Sequence, residues 1–566
     1  MREILQIFHR TCRGGHWPPV FTPFFPRTRA ANGRPYIRIF LPAPEKFGNN
    51  RLIFSFPLVN GRGLCYTESI KYFTSGKKNR NMKQKRTASL ALCAALLVST
   101  LLAGCGGKST QLNPKEPVNL TIWHYYNGAQ LSAFDAIVDA FNSTVGQEKG
   151  IYVSSYSKGS VNDLESAVRD SLEGKVGAEP LPDLFSSYSD TAFNAEQAGA
   201  LANLSDYFTQ EELDAYIPSY VKEGCIAADG SLRIFPIAKS TEVMILNKTD
   251  WEPFAESTGV TLEDLTTIEG VVEVSRKYYA WTDDQTPEIP GDGKAFYGRD
   301  ALPNYFFVGA QQLGQPLLKV ENNQAHVNAD REVFRKLWDN YYVPMVSGWF
   351  GAYGKFRSDD VKTGYLLAYT GSTASAGYFP KQVETETGSH PIDYEVLPVP
   401  IFAGGKNVIV QQGAGMAVTK SDARRETAAV EFLRWFTQAE NNVRFGAGSG
   451  YLPVLKEANR VETFRKIAED QHLEMDPVTD SCITFSLERM EQAEFFTPQT
   501  FTGGSAVRSV LEHSLADKIT ADLADIQQKT ASGASREAVL AKYTSDAAFE
   551  SWYTEFTAEI ENAAKD

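Results

Sequence analysis

Residues 119–126, NLTIWHYY, open the pattern that decides the fold. A short run rich in β-branched and aromatic residues is a strand composition. Beyond it, Leu131, Phe134, Ile137, Val138 and Phe141 recur at three- and four-residue spacing, the apolar stripe of an amphipathic helix. Residues 151–157, IYVSSYS, read as a second strand, residues 163–173 as a second helix, and residues 182–189, PDLFSSYS, as a third strand. Strand and helix alternating in this way predict an α/β fold with parallel strands covered on both faces. Ligand sites in such sheets collect beyond the strands' C-terminal ends. Tyr125, Tyr126, Asn127, Ser157, Lys158, Ser186, Ser187 and Tyr188 fall near those ends.

Upstream of this body stand residues 82–105, MKQKRTASLALCAALLVSTLLAGC. Lys83, Lys85 and Arg86 precede an apolar run, Ala88 to Leu102, too short to span a bilayer comfortably. The exit, Leu102-Ala103-Gly104-Cys105, resembles the lipobox of bacterial lipoproteins. That resemblance implies a signal peptide over 82–104, a lipidated Cys105 as first mature residue, and a place on the extracytoplasmic face of the cell membrane. A signal peptide is read at an N-terminus, so translation is expected to start at Met82. Residues 1–81 carry 14 Lys/Arg against 3 Asp/Glu and no sustained apolar period; they are expected to be a disordered, non-native extension.

From Cys105 to Asp566 the chain carries 39 basic and 66 acidic residues, a formal charge of −27. Such acidity argues against nucleic acid and against direct adhesion to anionic lipid, leaving the lipid anchor as the membrane contact. Cys225 and Cys482 are the remaining mature cysteines, open to one disulfide or to two buried thiols. No CxxC or HExxH occurs, and the five mature histidines lie far apart, so neither metal nor cofactor is expected.

Residues 230–251, GSLRIFPIAKSTEVMILNKTDW, give a turn, an extended stretch through Pro236, a small polar patch at Ser240-Thr241, an apolar strand, and Asn247-Lys248. Here the chain resembles family 1 extracellular solute-binding proteins of ABC importers, in which such a segment makes the first crossing between two lobes. The likeness continues in order through residues 369–380 (YTGSTASAGYFP), 394–405 (YEVLPVPIFAGG), 407–420 (NVIVQQGAGMAVTK) and 445–454 (FGAGSGYLPV). It implies a two-lobed type II periplasmic-binding fold, each lobe a mainly parallel sheet flanked by helices, with a helical C-terminus. Residues 105–117 would be a linker, residues 118–239 and 411–450 lobe 1, and residues 240–410 and 451–566 lobe 2 with the terminal helices. In that last part Val507, Leu511, Leu515, Ile519, Leu523 and Ile526 step by three and four, a core-facing helix ending at Ser532-Gly533.

The function implied is capture of a solute by lobe closure and delivery to ABC permease subunits, by a monomer that is not an enzyme. The solute would be a mono- or oligosaccharide, ahead of a glycerol-phosphate-type ligand. Matched to the family's ligand loops, the binding residues would be Tyr125, Tyr126, Ser187, Ser240, Thr241, Ser372, Thr373, Gly413 and Tyr451, with Trp281, Arg299 and Trp349 as further candidates. A phosphate would need a cation, for which Arg299 or Lys239 is available. Gly413 and Gly446 are expected where backbones approach closely at a lobe crossing. A surface glycoside hydrolase is the alternative that acidic pairs such as Asp283-Asp284 and Asp359-Asp360 keep open, although most such pairs are solvated. A lipid-tethered sensory or adhesion module is the other.

Overall fold

The computed structural model describes residues 28–29, 35–42, 51–57 and 111–565, apart from 322, 387 and 491. Residues 1–105 and 106–566 form separate units. In the first, Pro35–Pro42 pairs antiparallel with Arg51–Pro57. Ile37, Ile39 and Leu41 do alternate with period two, a signal confined to one short strand. The signal segment and Cys105 lie outside the described residues.

The second unit begins with β1 (Val118–His124), α1 (Gly128–Ser143), β2 (Ile151–Ser157), α2 (Val161–Glu173) and β3 (Leu184–Ser187). Each element falls where the apolar periodicity predicts it. Ser160 caps α2 by accepting the Asp163 N–H, and Gly174 ends it in the left-handed region. Then come α3 (Ser189–Gln197), α4 (Pro218–Gly224) and the short β4 (Ile234–Phe235), after which the chain crosses to β5 (Glu242–Asn247), β6 (Tyr297–Arg299), α5 (Leu302–Gln312), β7 (Ala368–Ser372) and β8 (Tyr394–Pro398). It returns through β9 (Val408–Val410) and β10 (Gly415–Val418) to α6 (Ala423–Phe436) and α7 (Ala439–Ser449). The finish is β11 (Glu494–Phe496), α8 (Gly504–Ala531) and α9 (Asp546–Ala563).

Two sheets result. Lobe 1 has strand order β2-β1-β3-β10-β4, and lobe 2 has β8-β5-β7-β6. Both are mixed rather than mainly parallel. β1 runs parallel to β2 and β3, as a βαβ path requires, but β10 is antiparallel to both its neighbours. In lobe 2, β5 is antiparallel to β7 and β8, and only β7 and β6 are parallel. The antiparallel strands are the ones that enter from the other lobe, so crossing sets their direction.

Each sheet has its own core. Ile122, Phe134, Phe141, Phe185, Phe432 and Phe436 fill lobe 1 at full burial. Leu337, Trp338 and Phe334 of lobe 2 take Leu515 of α8 and Trp552 and Phe556 of α9 against them, which explains the apolar stripe read in α8. Burying each such side chain stabilises by about 1.5–3 kcal/mol. Tyr451 and Val454 join the first core, and Phe464 packs on Val443 and Ala447 of α7. Gly446 and Gly448 lie within α7, not in a loop, and a Cβ on Gly448 would stand 2.9 Å from the Ala133 Cβ on α1. The glycine lets two helices touch. Cys225 and Cys482 are free thiols.

Replacing Gly448 by Val should wedge α1 from α7 and lower the unfolding free energy by about 1–3 kcal/mol. Urea unfolding followed by tryptophan fluorescence would measure it, and an unchanged midpoint would show that the α1–α7 contact yields freely.

Candidate functional site

Four short segments lie side by side where the chain crosses between the lobes three times. Lys239 pairs with Leu452 and Ser240 with Gln412 in antiparallel bridges, while β9 runs parallel to β11 and the Gln411 N–H reaches the Phe496 carbonyl at 2.8 Å. Lys239 is buried here. Its ammonium donates to both Glu223 carboxylate oxygens at 2.8 Å and to the Gly413 carbonyl, so it is committed to the hinge and not to a phosphate. Thr241 Oγ1 donates to the Val410 carbonyl at 2.8 Å, and the Thr241 carbonyl accepts the Thr373 N–H at 2.9 Å. Gly413 has φ +94°, and a Cβ there would stand 3.0 Å from the Lys239 Cα, which is the close approach anticipated at a crossing. Ser240, Thr241 and Gly413 therefore sit on the crossing strands themselves.

The C-terminal end of β1 carries Tyr125 and Tyr126. Tyr126 is wholly buried, its ring 5.1 Å from Phe134 and 5.5 Å from Phe445, so it packs the core and has no face free for a solute. Tyr125 is buried as well, beside the crossing strands. Its hydroxyl lies 3.1 Å from that of Tyr451 and accepts the Ala414 N–H at 3.3 Å, and its ring stacks on Tyr188 at 6.3 Å and 14°. Burial pushes the phenols of Tyr125, Tyr188 and Tyr451 above their ordinary value, keeping them neutral donors. Ser187 is buried and donates to the Tyr188 carbonyl at 2.8 Å.

On the facing wall, Arg299 at the end of β6 donates to Glu242 at 2.8 Å, and Asn304 of α5 donates to the other Glu242 oxygen at 2.8 Å and to Gln412 at 3.1 Å. The guanidinium is thus neutralised, with its Nε left without a partner. Ser372 caps the turn Thr373–Tyr378 by accepting the Ala374 N–H at 3.2 Å, and the Thr373 hydroxyl is buried without a partner. That turn touches lobe 1: Gln130 donates to the Ala374 carbonyl at 2.8 Å, and Tyr378 donates to the Asn127 carbonyl at 3.0 Å. Trp281 and Trp349 belong elsewhere. Trp281 lies on the core-facing side of its helix, 5.6 Å from Phe254 and 6.0 Å from Tyr278, and Trp349 packs on the same core.

Three residues at this site escaped the sequence reading. Arg508 of α8 is exposed and its guanidinium lies 5.9 Å from the Tyr188 ring. It flanks Val507 on the helix whose apolar stripe was legible, so only the direction of that helix reveals it. Asp190 is capped by Gly504, where a Cβ would come within 2.8 Å of its Oδ1. Desolvation raises the Asp190 carboxyl to about 6, partly opposed by Arg508, and raises Glu165 in the same way. Glu242 was read only as a strand residue. Among the described residues no group of side chains could hold a metal ion, and no helix is long and apolar enough to cross a membrane.

Two lobes, joined by three crossings and facing one another across tyrosines and hydrogen-bonding groups, make a clamp for a small molecule. The family model described as bacterial extracellular solute-binding protein matches residues 136–474. The chain belongs to that family. This solute-binding protein is 21% identical over 421 residues to the maltotriose-binding protein of Pyrococcus abyssi, covering 72% of this chain and 80% of that one. In structure it is similar to the cyclic alpha-maltosyl-1,6-maltose binding protein of Arthrobacter globiformis, with TM-score 0.55, 20% identity, and coverage of 79% of this chain and 99% of the other. UgpB of Mycobacterium tuberculosis, solved with glycerophosphocholine, gives TM-score 0.52 at 17% identity, covering 76% and 100%. The fold is the type II periplasmic-binding fold anticipated from the sequence.

Two outcomes are expected. Because the Asp190 carboxyl is raised above its unfolded value, it favours the folded state through its protonated form, and stability falls as pH rises from about 4 to about 6. Asp190→Asn should remove that fall, gaining of order 1 kcal/mol at pH 7 and nothing at pH 3.5, as read by thermal melts across pH. Arg299→Ala leaves the Glu242 charge buried without its cation, held by Asn304 alone, and should cost about 3–5 kcal/mol in denaturant unfolding.

Proposed function

We propose that this protein is a cell-surface lipoprotein that captures a carbohydrate between its lobes and delivers it to the permease of an ABC importer. The observation that carries the ligand class is the charge balance of the cleft. Arg299 is matched by Glu242, Lys239 by Glu223, and Arg508 stands near Asp190 and Glu165. A phosphate ester would find Arg299 and Lys239 already engaged, and carboxylates near Arg508. A neutral sugar suits the same surface: Tyr188 offers a ring face to its C–H groups, and carboxylates and amides accept and donate to its hydroxyls. That the relatives named above include binders of maltotriose and of cyclic alpha-maltosyl-1,6-maltose supports the reading.

Closure follows from two-sided contact. A solute that touches Tyr188 of lobe 1 and Arg299 or Asn304 of lobe 2 favours the closed arrangement by its differential contacts alone. The contacts of Gln130 with Ala374 and of Tyr378 with Asn127 would add protein–protein bonds in the same state. The lipobox-like Cys105 would hold the protein at the membrane through lipid, with residues 106–117 as tether. Tyr125, Ser187, Arg299, Ser372, Thr373 and Tyr451 remain the sequence-derived ligand contacts, joined by Tyr188, Asp190 and Arg508.

Thermal unfolding against mono- and oligosaccharides, glycerol phosphates, polyamines and amino acids tests the reading. A saccharide at about a thousandfold over its dissociation constant should add roughly 4 kcal/mol and raise the midpoint by several degrees. Tyr188→Ala should weaken that saccharide about ten- to a hundredfold by calorimetry. A shift with glycerol phosphates alone would reverse the ligand assignment, and no shift with any class would remove the small-solute reading.

A further inference from the structure

A second cavity lies between the lobes, about 1310 Å³ in volume, along the edge of the hinge that β11 forms. Lobe 1 lines it from α4 and residues 225–227, lobe 2 from α5 and residues 316–328, and the hinge from residues 494–500. Beyond that last segment the chain runs through buried Phe501 to Gly504, which abuts Asp190. Ser189 also lines the cavity, between Tyr188 and Asp190 in sequence, so the cavity adjoins the cleft of Tyr188 and Arg508 at that residue.

The lining has a definite chemistry. Phe307 and Phe496 present rings 6.3 Å apart and tilted by 41°. Amides surround them: Gln311, Asn328, Gln411 and Gln499. Gln411 is almost fully buried, and its Nε2 donates to Glu223 and to the Ser219 carbonyl while its Oε1 has no partner, an acceptor that protein alone leaves unused. Charges at the cavity largely cancel. Glu223 is paired with Lys239 and Lys319 with Glu321, and Lys222 and Glu494 contribute one charge of each sign. Phenyl faces with amide donors and acceptors, and little net charge, suit a neutral polyhydroxylated molecule. The volume exceeds the roughly 300–1,000 Å³ usual for a drug-sized ligand, so it has room for several sugar units.

We infer that this groove is a second saccharide-binding site, beside the central cleft, that takes a neutral oligosaccharide across Phe307 and Phe496. It stands on the groove's own residues and does not require the central cleft to bind sugar. Cys225 lines the groove as a free, half-buried thiol, while Cys482 is fully buried, which provides a reporter in the natural sequence.

The full chain would be treated with N-ethylmaleimide, and alkylation of the Cys225 peptide followed by mass spectrometry with and without maltoheptaose. Saturating maltoheptaose should slow alkylation at Cys225 at least fivefold. The slowing should persist in Tyr188→Ala, which disables the central cleft, and disappear in the double variant Gln311→Ala, Gln499→Ala, whose sites are half-buried and exposed and spare the cores. No slowing in the natural protein would overturn the assignment. So would slowing that vanishes in Tyr188→Ala and survives in the groove variant, since it would then report lobe closure.

Discussion

The rest of the structure depends on satisfying the polar groups of three chain crossings inside a protein interior. Backbone that passes between two cores cannot leave its N–H and carbonyl groups bare. Here the crossings pair with one another, Lys239 with Leu452, Ser240 with Gln412, and Gln411 with Phe496. The buried Lys239 ammonium, held by Glu223 and the Gly413 carbonyl, ties the two inner segments together. A narrow ladder of this kind is stiff along its strands and yields most easily in twist and bend. Each lobe keeps its own core and can move as a body about it.

The same crossings place the site. β5 and β10 arrive from the opposite lobe and run antiparallel to their neighbours, so Glu242 begins β5 at the cleft and Gln412 precedes β10 there. Asn304 then bridges the two, binding Glu242 and Gln412 at once. Hinge and cleft share hydrogen bonds. A solute that disturbs Asn304 or Arg299 thus acts directly on groups attached to the crossing strands.

Polarity in the cleft is graded. Tyr125, Tyr451, Arg299 and Glu242 are buried, while Arg508 stands exposed at the rim. Carboxylates whose burial raises them toward neutrality, Asp190 and Glu165, gather where α8 meets lobe 1. A hydrogen bond to such a partly desolvated carboxylate is worth more than one to a solvated carboxylate.

Much of this was legible in residue order. The strands and helices of lobe 1 followed from apolar spacing in residues 119–189, and the stripe from Val507 to Ile526 announced the buried face of α8, because a single buried face imposes its period on the chain. The crossing at Ser240-Thr241 and the turn at Gly371-Ser372-Thr373 could likewise be placed by likeness alone. Tertiary structure decided the remainder. Whether an aromatic residue packs or faces the cleft depends on neighbours far along the chain, which is why Tyr126 and Trp281 went to the cores while Tyr188 stayed at the cleft. Pairings such as Arg299 with Glu242, 57 residues apart, and the arrival of Arg508 beside Tyr188 have no local signal. Period and composition report which face of an element is buried, and only the packing of one element on another reports what that face meets.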